Sequence, residues 1–348
     1  MSKSITIVMP DDMHLHLRHS DMLDFVLRDT VKQFARAIIM PNLSVPIINT
    51  KLAVAYRDSI LNSLGKIRGD LRCFEPLMTL YLTDTTTTDE ILMAKESGVV
   101  FAVKLYPNSA TTNSHAGVVD LFKNCSKVLD TLQRIKMPLL IHAEVSDHRV
   151  DIFDRESVYI DKVIIPLREK FPELKIVIEH VSTKEGVDYV YSSPEYTAAT
   201  ITPQHMLYNR NIIFSGGLRP HYYCLPILKS ELHREYLVKA ATSGDKRFFL
   251  GTDSAPHDVK SKENNCGCAG CYSSYNAISL YMKIFEDVGC ISNLEKFASF
   301  HGADFYNLPR NKQTLTIYRN ENIVPDKISF KNLNIVPLAY GETLQWSI

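Results

Sequence analysis

A (β/α)8 barrel is the fold class that this sequence predicts, and three observations predict it. Short runs rich in Val, Ile, Leu and Phe recur eight times along the chain. Longer stretches whose apolar residues repeat at three and four positions lie between them. Polar residues capable of chemistry stand where the runs stop, and that is the end at which barrel enzymes keep their sites.

The first run, residues 5–8, leads to His14 and His16. Side chains two apart on an extended backbone point the same way, so both imidazoles face one point and Arg18 lies just beyond. Imidazole is the commonest ligand of zinc-like ions, which makes the pair a candidate metal site. The plainer reading is a pair satisfied by local hydrogen bonds. The second run, 35–40, goes on to Asn42, and the apolar spacing of 52–64 predicts the helix that follows. The third run is 74–82. The fourth, 101–105, contains Lys104 in Phe-Ala-Val-Lys-Leu-Tyr, a setting too apolar for an ordinary surface lysine. Helical spacing returns over 118–135. The fifth run, 138–141, ends in His142, and the sixth, 175–178, leads to His180. The seventh, 198–201, runs toward His205, and the eighth, 247–250, ends in Asp253 with His257 just after it. Near-continuous apolar strands alternating with helices indicate a parallel sheet covered on both faces, and eight of them suggest closure, with a doubly wound open sheet as the alternative.

Composition narrows the function classes. Hydrophobic residues make up 45% and charged residues 22%, as in an ordinary globular protein with a large core. The 39 basic and 39 acidic residues cancel, so nothing points to nucleic acid or an anionic membrane as a partner. No apolar run approaches the length of a membrane span, and no basic-then-apolar leader opens the chain. The seven cysteines are accordingly expected to be reduced thiols of a cytoplasmic protein.

The residues at the strand ends sort by chemistry. His14, His16 and Asp253 can hold one ion, and His142 and His180 a second. Lys104 has three possible fates: an ion pair, a Schiff-base amine, or carbamylation by carbon dioxide to N6-carboxylysine. The last would turn a cation into a carboxylate able to bridge two metal ions, and the surrounding histidines favour it, because an ammonium between two cations is electrostatically costly.

The run Pro10-Asp11-Asp12-Met13-His14-Leu15-His16-Leu17-Arg18 resembles the opening motif of the dihydroorotases, in the shorter bacterial-type branch of the amidohydrolase superfamily. The resemblance continues through Met40-Pro41-Asn42-Leu43, Lys104-Leu105-Tyr106-Pro107, Thr111-Thr112-Asn113-Ser114 and Ile141-His142-Ala143-Glu144. It resumes at Thr202-Pro203-Gln204-His205, Gly217-Leu218-Arg219-Pro220 and Tyr223-Cys224-Leu225-Pro226, and closes with Gly251-Thr252-Asp253-Ser254-Ala255-Pro256-His257 and the segment from Cys266 to Cys271.

This resemblance implies a metal-dependent TIM barrel over the whole chain, residues 1–348, with the last ~35 residues packed on it as a short extension of strands. It implies two zinc ions: His14, His16, carbamylated Lys104 and Asp253 around one, and Lys104, His142 and His180 around the other. Arg18, Asn42 and His257 would hold a substrate carboxylate, Leu225 and Ala269 would add backbone contacts, and His16 and His142 would also touch the substrate. The reaction implied is the reversible cyclisation of N-carbamoyl-L-aspartate to (S)-dihydroorotate in pyrimidine biosynthesis, with Asp253 as the proton shuttle. A homodimer is expected as well.

Two segments have competing readings. Residues 107–114 are small, polar and rich in hydroxyls, as expected of a lid bringing Thr111 and Thr112 to the substrate; the alternative is a plain connection. Cys266, Cys268 and Cys271 are spaced like a zinc knuckle but lack a fourth ligand nearby, so a packed loop over the site is expected instead. Other cyclic amidases, such as hydantoinases and dihydropyrimidinases, would share the metal ligands but have no reason to keep Arg18, Asn42 and His257 together. A Schiff-base aldolase would need no metal, and a non-catalytic relative would have eroded ligands.

Overall fold

A computed structural model describes residues 3–67 and 74–348. Eight parallel strands stand in sequential order: β2 (Asp11–Leu15), β3 (Arg36–Ile39), β4 (Glu75–Tyr81), β5 (Val100–Leu105), β6 (Leu139–Ile141), β7 (Ile176–Ile178), β8 (Thr197–Ile201) and β9 (Phe248–Leu250). The last meets the first through Asp253 N to His14 O at 2.9 Å and His16 N to Ser254 O at 3.1 Å. The result is a (β/α)8 barrel of the TIM type.

Apart from the first, the barrel strands bury mainly apolar side chains on both faces, which is why their runs read as continuous. Ile38, Leu77, Ala102, Leu140, Val177, Ala198 and Phe249 fill the barrel interior, and Tyr306 closes its floor. Their neighbours Ile39, Leu80, Val103, Ile141, Ile178 and Leu250 face outward into the layer shared with the helices. Strand alternation therefore carries the interior phase two residues at a time toward the mouth, from Ala102 to Lys104, from Leu140 to His142 and from Val177 to Glu179.

The first apolar run does not enter the barrel. Ser4–Val8 is β1, and it pairs antiparallel with β10 (Thr314–Ile323), which pairs in turn with β13 (Thr343–Ser347). A short hairpin of β11 (Ile328–Phe330) and β12 (Leu333–Ile335) lies between the latter two in sequence. The barrel's first strand is instead Asp-Asp-Met-His-Leu, buried throughout. Its carboxylates are tolerated because each is fully engaged. Arg36 donates to Asp11 at 2.6 and 3.0 Å, and Asn311 donates at 2.8 Å. Asp12 accepts from Thr252 N at 2.9 Å, Thr252 Oγ1 at 2.6 Å and His14 N at 3.1 Å, which ties the first strand to the last.

The helix expected after the second barrel strand spans Thr50–Leu64 and is capped by the Asn49 side chain. The helical reading of residues 118–135 is corrected in part. Val118 bridges to Pro107, and two helices, Leu121–Asn124 and Ser126–Arg134, break at Cys125, whose backbone leaves the helical region. No helix among the described residues is long and apolar enough to cross a membrane.

Candidate metal centre and substrate pocket

The strand ends converge at the barrel mouth. His14 Nε2, His16 Nε2 and Asp253 Oδ1 face one another, with His–His 3.3 Å, His14–Asp253 3.2 Å and His16–Asp253 3.0 Å. Among the described residues this is the group of ligand atoms gathered closely enough to hold an ion. On the far side His142 Nδ1 lies 3.2 Å from His180 Nε2. All five side chains are buried. His180 and Asp253 reach the centre by leaving strand geometry, with φ of +42° and +46°. Such left-handed backbone is strained for non-glycine residues and clusters at functional sites. Gly251 makes room behind His14: a Cβ there would lie 3.0 Å from His14 Cβ and 2.7 Å from Thr200 Cβ.

Protonation favours metal binding at His16, His180 and Asp253, whereas at His14 burial, which would lower it, is outweighed by the Glu179 and Asp253 charges that raise it. Burial pushes His16 down to about 4 even though Asp253 pulls the other way. Burial, reinforced by His142, drives His180 well below its ordinary value. Burial alone would raise Asp253, but the histidines around it hold it well below the carboxylate range. Two neutral imidazoles and an ionised carboxylate are the states that ligate.

Lys104 is wholly buried behind these groups, and its Nζ donates to Glu179 Oε2 at 2.7 Å. Burial lowers the amine, and the Glu179 charge opposes that. The same carboxylate oxygen contacts His14 Nδ1, which leaves Nε2 turned toward the ion site. Glu144 is the counterpart across the centre, accepting from His142 Nε2 at 2.8 Å and leaving Nδ1 turned toward His180. A carboxylate behind a ligating histidine fixes its tautomer. The sequence reading missed Glu179, although strand alternation from Val177 points to it. Glu144, two residues past His142, was quoted but given no role.

The donor set fits a metal centre, with room for ligands on both sides of it. His14, His16 and Asp253 would take one ion and His142 and His180 another, while Lys104 lies behind them in an ion pair with Glu179. As an ammonium Lys104 cannot ligate; as a carbamate it can bridge. The inner oxygen Glu179 Oε1 and the ring nitrogen His180 Nδ1 have no hydrogen-bond partner among the described residues.

A small cavity opens above the centre. Its lining includes Arg18, Asn42, Tyr106, Thr111, Thr112, Leu225 and Ala269 beside the ligands. Arg18, itself at φ +61°, donates from Nε to Pro256 O at 3.2 Å, and its Nη2 lies 3.1 Å from His257 Nε2. That ring nitrogen is also 3.0 Å from Ala269 O. A guanidinium only donates and a carbonyl only accepts, so His257 satisfies one at a time. Asn42 Nδ2 donates to Thr112 O at 3.1 Å, while its Oδ1 is buried and unpartnered among the described residues. Thr112 Oγ1 reaches Ala269 O at 3.5 Å, so residues 107–114 lie over the cavity as a cover. Tyr106, also missed, points a buried and unpartnered hydroxyl here.

His205 is a satisfied core residue, placed 2.7 Å from Thr202 Oγ1 and 2.8 Å from Pro226 O. His221 pairs with Glu263 at 2.9 Å. Cys266 is exposed, while Cys271 is buried and donates to His221 O, so the three thiols form no common centre.

A family model described as the amidohydrolase family matches residues 6–320. A dihydroorotase of Picosynechococcus sp. is 55% identical over 344 residues, covering 99% of this chain and 98% of the relative. Among solved structures, dihydroorotase from Campylobacter jejuni has a TM-score of 0.89 and 32% identity, covering 100% of this chain and 98% of its own. Dihydroorotase from Saccharomyces cerevisiae, in complex with 5-fluoroorotic acid, has a TM-score of 0.88 and 30% identity, covering 99% and 98%.

Proposed function

The chain belongs to the amidohydrolase family, and from that membership we propose that it acts as a dihydroorotase, closing N-carbamoyl-L-aspartate to (S)-dihydroorotate with loss of water, and the reverse. This is a step of pyrimidine synthesis. The observation that carries the reading is the meeting, in one small cavity, of the histidines and Asp253 with a second group, Arg18 and Asn42, while His257 stands against Arg18 just outside the lining. Hydantoinases and dihydropyrimidinases act on rings without that carboxylate, so the second group speaks against them.

We assign the ions as zinc: His14, His16 and Asp253 would hold one and His142 and His180 the other, with carbamylated Lys104 as a ligand for both. When bound, they supply Lewis acidity that makes a water nucleophilic at neutral pH and polarises the amide carbonyl. Asp253, ionised and 3.0 Å from His16, takes the proton of the attacking water. As the ring C–N bond breaks, it passes that proton to the departing nitrogen, acting first as base and then as acid. Arg18 pairs with the carboxylate that does not react, and Asn42 and His257 fix its orientation. Thr111 and Thr112 close over the ring, and the Leu225 and Ala269 backbones bound its other edge. We assign the whole chain to one barrel domain with its strand extension, working in the cytoplasm as a homodimer; light scattering checks the last point.

Metal analysis together with a dihydroorotate hydrolysis assay tests the reading, and hydrolysis without bound metal would sink it. Lys104→Ala should lose metal and nearly all activity, and small carboxylic acids should restore part of it. An unmodified Lys104 mass in active protein would overturn carbamylation.

A further inference from the structure

The thiols of Cys266, Cys268 and Cys271 are left unused by the reaction, and their segment is built around a different cation. Lys262 is 3% exposed, and its Nζ donates to Cys268 O at 2.7 Å, Gly270 O at 2.8 Å and Tyr223 O at 2.9 Å. An ammonium has three N–H donors and no acceptor, so these carbonyls saturate it. They come from two separate stretches. Cys268 and Gly270 flank Ala269, and Tyr223 stands two residues before Leu225. Ala269 and Leu225 both line the cavity.

The loop closes so tightly on the lysine that side chains are excluded. A Cβ on Gly267 would fall 2.5 Å from Lys262 O. Gly270 has φ +143°, and a Cβ there would meet Ala255 Cβ at 2.8 Å and Ala255 O at 2.9 Å. Gly270 N also donates to Tyr223 O at 2.9 Å, which joins the two stretches directly. The thiols turn elsewhere: Cys224 Sγ donates to Pro226 O and Cys271 Sγ to His221 O.

We propose that Lys262 is a positioning residue for substrate binding, an internal cation whose three carbonyl contacts set the backbone of Leu225 and Ala269 against the cavity. Its reach extends further through Ala269 O, which meets both His257 Nε2 and Thr112 Oγ1. Fixing that one carbonyl fixes the group behind Arg18 and the cover above the ring. Without the ammonium, the Cys268 and Gly270 carbonyls lose their partner and Tyr223 O keeps only the Gly270 N–H, so the loop must open to hydrate the two left unpaired. The inference rests on reading the cavity as the substrate site.

The test compares metal-loaded wild type with Lys262→Met and Lys262→Ala. Lys262→Met should raise KM for dihydroorotate by at least ~10-fold, equivalent to about 1.4 kcal/mol, with kcat within about 3-fold and the metal count unchanged. Amide exchange over residues 264–270 should quicken in the protein without substrate. Lys262→Ala leaves a hole lined by the three carbonyls. Methylammonium, added from folding onward, should bring its KM back toward wild type, whereas tetramethylammonium, which has the charge but no N–H, should not. Wild-type KM and exchange in Lys262→Met would overturn the proposal. So would a KM increase that tracks metal loss, or equal rescue by both cations. A wild-type protein inert toward dihydroorotate would instead sink the substrate reading, while the exchange measurement would still judge Lys262.

Discussion

Asp253 and Arg18 both line the cavity and make opposite kinetic demands. Asp253 is held ionised by the histidines around it and moves a proton only along the reaction path. Asp253→Ala should lower kcat by at least ~1,000-fold, about 4 kcal/mol, while retained binding of an inert carboxylate analogue, read by calorimetry, shows an intact pocket. Arg18 is held at φ +61° with Tyr56 OH donating to its carbonyl at 2.8 Å, so its backbone is locked before substrate arrives. Arg18→Met removes a charge-assisted pairing with the carboxylate. KM should rise by ~100-fold or more, near 3 kcal/mol, with the metal count unchanged. An unchanged KM would refute the carboxylate assignment.

The cover over residues 107–114 is the element whose behaviour matters most. It is pinned within itself by Thr111 N donating to Ser114 Oγ at 2.8 Å, and it turns through left-handed Ser109 and Asn113. Its ties to the barrel are few and polar: Asn42 Nδ2 to Thr112 O, Asn113 Nδ2 to Asn42 O at 3.1 Å, Tyr81 OH to Asn113 O at 3.4 Å, and Thr112 Oγ1 to Ala269 O. A segment held by a handful of hydrogen bonds opens at small free-energy cost, as a lid requires. Replacing Thr111 and Thr112 by Val keeps their shape and removes the hydroxyls. Steady-state kinetics should then show kcat lower by more than ~10-fold, over 1.4 kcal/mol, with both metals retained. Wild-type kinetics would make the segment a plain connection.

At the scale of the molecule, the first and last strands hold the barrel's entry strand in place. β1 pairs with β10 from Ser4↔Tyr318 to Val8↔Thr314 and passes through Met9 and Pro10 into the strand that carries His14. Trp346 on β13 is 2% exposed, donates Nε1 to Glu286 at 2.8 Å and lies under the Arg319 guanidinium at 4.9 Å. Trp346→Ala should cost about 3–5 kcal/mol of stability in denaturant titrations, the usual penalty for deleting a buried indole. The folded fraction should keep its metal and its KM, because the sheet stands at the barrel's outside rather than at its mouth.

The barrel was legible because a parallel sheet buries both strand faces, so seven of its strands announce themselves as apolar runs. The eighth did not. Asp11 and Asp12 look like loop residues until Arg36, Asn311 and Thr252, distant in sequence, are seen to satisfy them, and the apolar run at 5–8 drew the reading away. Local order likewise gave His14, His16, Lys104, His142, His180 and Asp253, since strand ends collect at one mouth. Glu179 was readable from alternation alone, and only attention to histidines obscured it. Lys262 carries no local signal, because its three acceptors are carbonyls, which every residue has. The sequence by itself determined the pattern of strands and the chemistry at their ends, for those depend on periodicity and side-chain type. Only the tertiary structure decided which buried charges find partners and which backbone a buried ammonium gathers, because those contacts join residues whose order along the chain says nothing of their distance.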